Sequence, residues 1–159
     1  MSIKYKLERA FQAIIEGADL DRPIQILTSQ TSSSETLGPR RVSIEALTGP
    51  QVTPKTRNLR MTVIIMVERI VEPADDDPID EDPVANHRLN VDAMHTALDG
   101  ADVGLAELLT AQNEIVDIAG FTCFGVVPLG EVREPPNQQD RCFRDVWGYV
   151  CTVCESDNS

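Results

Sequence analysis

The stretch from Asn58 to Val71, NLRMTVIIMVERIV, constrains the fold of this chain more than any other. One side of it carries an apolar residue at every second position, namely Leu59, Met61, Val63, Ile65 and Val67. The other side mixes polar residues with apolar ones. This period of two predicts a β-strand with one buried face and a second, partly covered face. A strand of this length spans about 45 Å, roughly twice the usual length. We therefore expect it at the centre of a sheet or in a long hairpin.

Before this strand, the sequence predicts one helix and two shorter strands. Residues 3–16 place apolar side chains at helical spacing, and Gly17 follows as a helix stop. Residues 24–27 form a short apolar run, and residues 41–47 alternate as in a half-exposed strand. The Ser/Thr-rich segment 31–41 is interpreted as a flexible loop. The prolines and glycine of 48–58 disfavour regular pairing there.

After the long strand, an acidic and proline-rich segment at 72–82 predicts a flexible, solvated loop. Asp82 and Pro83 then make a helix start. One apolar stripe follows that start, consisting of Val84, His87, Val91, Met94 and Leu98. A second, short helix is predicted from Asp102, and its inner face carries Leu105, Leu108 and Leu109.

The C-terminal third returns to strands. We expect one strand over residues 115–127 and a second over residues 142–155, separated by a polar excursion at 128–140. Residues 156–159 are expected to form a disordered tail. The order α-β-β-β-α-α-β-β predicts a single α+β domain over 1–159. Its largely antiparallel, mixed sheet should have long central strands, packed by the N-terminal helix and one or two central helices.

The composition disfavours nucleic-acid binding and membrane spanning. Fourteen basic and 26 acidic side chains give a net charge of −12, which repels a phosphate backbone. The longest apolar run, Val63 to Val67, is too short for a transmembrane helix. The N-terminus interleaves charged and apolar residues, unlike a secretory signal. We expect assembly in a reducing cytoplasm, with the four cysteines as free thiols.

Cys151 and Cys154 have the spacing of a metal-binding or thiol-exchange pair. They lie within a strand pattern, however, in which positions three apart point to opposite faces. Cys123 and Cys142 stand alone, so there is no second pair to complete a zinc site. Buried structural thiols are the preferred interpretation, and a metal site is the alternative.

Other candidates for chemistry are isolated in the sequence. His87 and His95 lie eight residues apart without a metal-binding motif, and the apolar stripe favours His87 as a packed core residue. The segment 72–82 lacks the glycine and glutamate spacing of a calcium loop. Motifs for nucleophilic catalysis and for phosphate or dinucleotide binding are absent from the sequence. We therefore predict no catalytic, cofactor or metal site.

Several stretches together resemble a known family. They are an N-terminal amphipathic helix, the strand NLRMTVIIMVERI and the helix PVANHRLNVDAMHTAL, followed by GFTCFGVVPLGE, a polar loop and CFRDVWGYVCTVCE. In this order the chain resembles the tail terminator (tail completion) proteins of tailed bacteriophages, most closely in roughly the last forty residues. The Ser/Thr-rich segment and the acidic insertion at 72–82 depart from that pattern.

The resemblance implies a structural virion protein of the neck or tail, assembled in the host cytoplasm and without enzymatic activity. Such a protein forms a homo-oligomeric ring, usually a hexamer. The ring caps the tail tube protein and joins it to the head-side connector. DNA passes through it without sequence-specific binding. An acidic ring would suit that passage because like charges repel.

Contacts between subunits are expected mainly in loops, because loops usually carry function. The segments concerned are 31–41, 50–57, 72–82 and 131–141. The candidate contact residues are charged, apart from one aromatic residue: Arg40, Arg41, Lys55, Arg57, Asp75, Asp76, Asp77, Glu131, Arg133, Arg141 and Trp147. We expect head-to-tail contacts, which close into a ring when the rotation allows.

Two other interpretations stay open at this point. A different head-completion, neck or tail-tube protein would share the α+β fold and differ in its stacking partner. A monomeric cytoplasmic enzyme or binding protein would instead require a cleft with convergent polar groups and perturbed ionisable side chains.

Overall fold

The computed structural model describes residues 3–20, 24–29, 31, 36–51, 58–70, 83–99, 104–115, 120–137 and 142–155. Within these ranges the chain forms three helices and five strands in the predicted order. They are α1 (Ile3–Glu16), β1 (Gln25–Thr28), β2 (Arg40–Gln51), β3 (Asn58–Ile70), α2 (Pro83–Asp99), α3 (Leu105–Ile115), β4 (Phe121–Asn137) and β5 (Cys142–Glu155). No helix in this part of the chain is both long and apolar enough to cross a membrane.

The described strands form one sheet in the order β1-β2-β3-β5-β4. The short β1 pairs in parallel with β2, and the other neighbouring pairs are antiparallel. The long strand β3 therefore lies at the centre, as the period-two pattern predicts. The α+β class with a mixed, mostly antiparallel sheet is confirmed.

The helices begin and end largely where the sequence predicts. The amide of Gly17 donates to the carbonyls of Ala13 and Ile14 at the end of α1. Helix α2 starts at Pro83, and the stripe residues that follow are buried, namely His87, Val91, Met94 and Leu98. In α3, Leu109 is fully buried, while Leu105 and Leu108 are half-buried against the core. Asp82, Asp102 and the side chain of Val84 lie outside the described part.

The core lies between the helices and one face of the sheet. Strand β3 contributes Met61, Val63, Ile65 and Val67, each at most 1% exposed. The same face of β5 carries the buried residues Trp147, Tyr149, Cys151 and Val153. Burial of this face and of the apolar stripes of the helices is the main favourable contribution to folding.

The fourth strand differs from the prediction at both ends. Residue Ile115 ends α3 instead of beginning a strand, and β4 begins only at Phe121, after Gly120 with a φ of 105°. The segment 128–137, predicted as a polar excursion, continues β4 along β5. The prediction of a loop there is therefore wrong. An edge strand leaves the backbone groups along one edge unpaired, so it tolerates prolines and polar residues. Its composition therefore resembles that of a loop.

Three register irregularities interrupt β4, at Cys123/Gly125, Leu129/Val132 and Glu134/Asn137. Together with Pro128, Pro135 and Pro136, they disturb the row of backbone groups along this edge of the sheet. Irregular edges of this kind prevent another strand from pairing. A partner that contacts β4 must therefore do so mainly through side chains.

Candidate assembly surface

The helix–sheet contacts reach one and the same face of the sheet. The ring of Phe11 in α1 stacks on Tyr149 with centroids 5.6 Å apart, and His95 of α2 lies 4.3 Å from Trp147. Leu109 of α3 is buried in the core on that side as well. In the part of the chain that is described, no helix packs on the opposite face. We call that opposite face the open face.

Apolar side chains occupy most of the open face. The strand registers arrange its residues in three rows across β2, β3, β5 and β4. These rows are Leu47-Thr62-Val150-Val127, Glu45-Ile64-Gly148-Leu129 and Ser43-Met66-Val146-Val132. The outermost apolar residues, Leu47, Val127, Leu129 and Val132, are between 41% and 62% exposed.

The open face is large enough to be the centre of an interface. Neighbouring strands lie about 4.8 Å apart and side chains on one face repeat about every 6.8 Å, so three rows on four strands cover about 400 Å². Apolar patches of this size on a monomer often bind a partner. A stable interface buries about 800 Å² per partner. The open face therefore supplies about half of the area that one partner contributes to a stable interface.

Gly148 keeps the middle of the open face continuous. A Cβ atom built at this position would lie 2.7 Å from the carbonyl oxygen of Val63 and 3.0 Å from Cδ1 of Ile64. Cδ1 of Leu129 would lie at 3.4 Å on the other side. The two neighbouring side chains thus close over the glycine and join the outer strands into one apolar surface. A larger residue would displace the backbone of β3.

A charged row borders the apolar rows at one end of the open face. Arg41 on β2 donates to Oε1 of Glu68 at 3.2 Å, and Arg144 on β5 donates to Oε2 at 2.8 Å. Burial raises the pKa of Glu68, but the hydrogen bonds from Arg144 and Arg41 outweigh it and hold the pKa below the usual 4.5. In the strand register Glu134 of β4 lies opposite Arg144, so the row holds two basic and two acidic residues.

A second polar cluster lies on the helical side and joins α2 to β5 and β4. Nε2 of His87 lies 3.0 Å from Oδ1 of the buried Asp145, and Nε of Arg133 lies 3.3 Å from the other carboxylate oxygen. His95 and Glu131 approach to 3.5 Å. His87 is thus a packed core histidine, as predicted. The candidate contact residues Glu131 and Arg133 lie in strand β4 and bind within their own chain.

The structure spreads the remaining candidate contact residues over different places. Arg40 is half-buried at the start of β2, while Arg41 belongs to the charged row. Trp147 is only 3% exposed and packs against His95, so it offers a neighbour little surface. Six candidates lie outside the described residues: Lys55, Arg57, Asp75, Asp76, Asp77 and Arg141.

A shallow cleft of about 510 Å³ lies between the end of α1 and the outer side of α2. Mostly small residues line it, namely Gly17, Ala18, Asp19, Leu89, Asn90, Ala93, Thr96 and Ala97. Leu89, at 62% exposure, is the large apolar residue among them. The lining contains no pairing of a nucleophile with a base, so the cleft has the character of a packing surface.

A smaller cleft of about 290 Å³ lies beside Asp99 and Tyr149 and is otherwise lined by apolar residues and Gly104. Burial raises the pKa of the Tyr149 hydroxyl above its usual range. Within the described ranges, no three side chains of metal-binding type come together.

The cysteine pair follows the strand alternation. Cys151 is buried on the helical side, whereas Cys154 is half-buried on the other face. A hydrogen bond with Cys123 and burial raise the pKa of the Cys151 thiol. A thiol held protonated is a poor nucleophile and a poor metal ligand.

Sequence reasoning missed the buried carboxylates. Glu8 on α1 is 0% exposed and accepts hydrogen bonds from the amides of Ser29 and Ala46, both at 3.0 Å. A signal for it exists, because Glu8 precedes the buried Ile15 by seven residues and therefore lies on the same side of the helix. No comparable signal marks Glu68 or Asp145, whose partners lie on other strands or helices.

Comparisons with known proteins bear on the fold. No protein-family model and no curated protein sequence matches this chain. Among solved structures, the chain is similar to a chain in a structure described as the virion of a native gene transfer agent (GTA) particle. The TM-score is 0.50 at 15% sequence identity, and the match covers 94% of this chain and 90% of that one. The two chains share a fold.

Proposed function

We propose that this chain is a structural virion protein that caps the tail tube and joins it to the head-side connector as a homo-oligomeric ring. The observation that carries the proposal is the fold shared with a chain of a gene transfer agent virion over 94% of this chain and 90% of that one. A match over nearly both whole chains concerns the domain and not a single motif. The tail terminator resemblance of the C-terminal strands supports the position at the end of the tube.

The open face supports assembly independently of that similarity. A sheet face of about 400 Å² that is mostly apolar is costly to leave in water, and a neighbouring subunit would cover it. The described clefts, by contrast, lack the convergent ionisable groups that an active site requires. A structural role therefore fits the described part of the chain better than an enzymatic one. A ring of six copies follows from the family resemblance.

Another neck, head-completion or tail-tube component is the second candidate, because the similarity to a virion chain applies to it equally. The two candidates differ in what they bind. A tail-capping protein binds one end of an assembled tube, whereas a tube component polymerises along it.

The first experiment measures the mass of the purified protein in solution and images it by negative stain. We expect closed rings of uniform size. A tube component would instead form stacks or filaments. A protein that stays monomeric and binds neither tubes nor connectors would contradict the proposal.

The second experiment adds the protein to tubes assembled from the tail-tube protein of the same particle. We expect shorter tubes with extra density at one end, because a cap stops growth. Tubes of unchanged length and appearance, together with binding to heads alone, would favour a head-completion role.

A further inference from the structure

We propose that the open face of each subunit docks on the outer side of the helical layer of the next copy, around the cleft between α1 and α2. This inference rests on the proposed ring and specifies its contact. It joins two different surfaces, so each copy is bound once through its sheet and once through its helices. Contacts of this head-to-tail kind close into rings.

The layered build of the chain favours a second copy as the occupant. An antiparallel sheet can leave a polar face in water, but here the helices of the same chain cover one face and the other is largely apolar. A helical layer from the next copy would complete the three-layer arrangement for every subunit in a closed ring. A contact between two open faces would bury them in pairs and stop at a dimer.

The shapes of the two surfaces are complementary. The exposed side chains of Val127, Leu129 and Val132 project from the edge strand β4. The cleft between α1 and α2 has a volume of about 510 Å³, and glycine and alanine make up half of its lining, which also includes the exposed Leu89. Small residues allow close approach, so branched side chains of β4 can enter the cleft. Leu89 can in turn pack on the apolar rows.

Both surfaces carry charged residues at their rims. On the open face Arg41 and Arg144 flank Glu68, and Glu45 is exposed beside the apolar rows. The helical side carries Asp19 in the cleft lining and the exposed residues Arg88 and Asp92 on α2. Pairs of opposite charge at the rim fix the orientation of docked copies more than they add to affinity.

The test places a charge on one surface at a time in the full-length chain. Leu129→Glu alters the open face, and Leu89→Glu alters the helical side. Both residues are exposed, 41% and 62%, so the fold should tolerate either change. Each variant alone should lose the ring and sediment as a monomer. Ala111→Glu, at an exposed position of α3 outside both surfaces, should keep the ring.

Mixing the two variants identifies the geometry. The Leu89→Glu chain keeps an intact open face and the Leu129→Glu chain keeps an intact helical side. A head-to-tail contact therefore predicts that the equimolar mixture forms a heterodimer that cannot grow. Native mass spectrometry distinguishes this species from either homodimer. If Leu89→Glu alone dimerises, two open faces bind each other and the inference is overturned.

The wild-type chain separates this inference from the proposed function. If wild-type rings form and both variants still assemble, the ring uses other surfaces, so the inference fails while the proposed function stands. If Leu129→Glu lowers the melting temperature of a monomeric wild type without any change in mass, a segment of the same chain covers the open face. That result overturns the inference, and capping of tubes then tests the function separately.

Discussion

At the scale of single residues, Glu8 shows how a buried charge can serve the fold. Strand β1 ends at Thr28, opposite Ile44 of β2, so the amide of Ala46 extends past its last partner on that side. The carboxylate of Glu8 accepts this amide and also bonds the amide and hydroxyl of Ser29. The side chain thereby takes the place of a missing strand and fixes α1 to the edge of the sheet.

We expect Glu8→Ala to lower the free energy of unfolding by about 3 kcal/mol, because it leaves buried donors unsatisfied. Glu8→Gln should have a smaller effect, since one oxygen acceptor is retained. Urea titration gives both values as shifts of the midpoint at constant slope. The control is Glu16→Ala on the same helix, an exposed residue that should change stability by less than about 0.5 kcal/mol. Equal effects at Glu8 and Glu16 would contradict the role of Glu8.

Glu68 should give stability a defined pH dependence. Its pKa in the folded chain lies below the usual 4.5, so the unfolded state binds the proton more tightly. Its contribution, about 2 kcal/mol for charge-assisted bonds, is therefore complete above the unfolded pKa. It is lost as the pH falls through the folded pKa. At neutral pH the free energy of unfolding of wild type should exceed that of Glu68→Gln by this amount. The two free energies should become equal at acid pH.

The matched control for Glu68 is Glu45→Gln, an exposed carboxylate on the open face. The free energy of unfolding of Glu45→Gln should stay close to that of wild type at every pH. The difference in free energy of unfolding between wild type and Glu68→Gln could also stay constant down to the lowest pH. In that case the ion pairs with Arg41 and Arg144 would not be the cause of the difference.

Residues of this kind limit what a sequence alone can predict. The apolar stripe that contains Val91, Met94 and Leu98 was predictable because helical periodicity is a local property. The triad of Arg41, Glu68 and Arg144 joins three strands, and its members become neighbours only through the strand order. The period of two placed Glu68 on the correct side of β3 and could not identify its partners.

At the scale of elements, β4 and α2 illustrate two different outcomes. The prediction of α2 was accurate because Pro83 and the stripe mark its start and its buried face. The prediction for β4 failed over 128–137 because glycine, proline and charged residues predict a loop and an edge strand alike. Only the pairing with β5 distinguishes the two, and that pairing joins residues of different parts of the chain.

The attachment of α2 to the sheet should depend on the buried pair His87–Asp145. Truncating one partner of a buried hydrogen-bonded pair costs about 1–3 kcal/mol, because the other polar group is left buried and unsatisfied. A double-mutant cycle with His87→Ala and Asp145→Ala should therefore give a coupling of about 1–3 kcal/mol. The control cycle combines Asp145→Ala with Arg88→Ala, since Arg88 is an exposed residue of α2. The two changes in free energy of unfolding should be additive. Additivity in both cycles would show that the pair does not hold the helix.

At the scale of the whole molecule, the open face arises from topology. Strands β3 and β5 carry apolar residues on both faces, such as Ile64 and Val146. Their union into one surface requires β5 to lie between β3 and β4, which places Leu129 and Val132 beside them. A local pattern predicts the character of each strand, whereas the size of the patch follows from the order of the strands.

The net charge of −12 on each copy leads to a prediction about salt. Copies with this charge would repel one another in the proposed ring, and the screening length falls from about 10 Å at 0.1 M salt to about 3 Å at 1 M. Apolar burial on the open face does not depend on such screening, and ion pairs at the rim contribute little affinity. Sedimentation should therefore show a larger assembled fraction as salt rises, while Leu129→Glu stays monomeric throughout. A decrease with salt would mean that the charged row, and not the apolar rows, drives assembly.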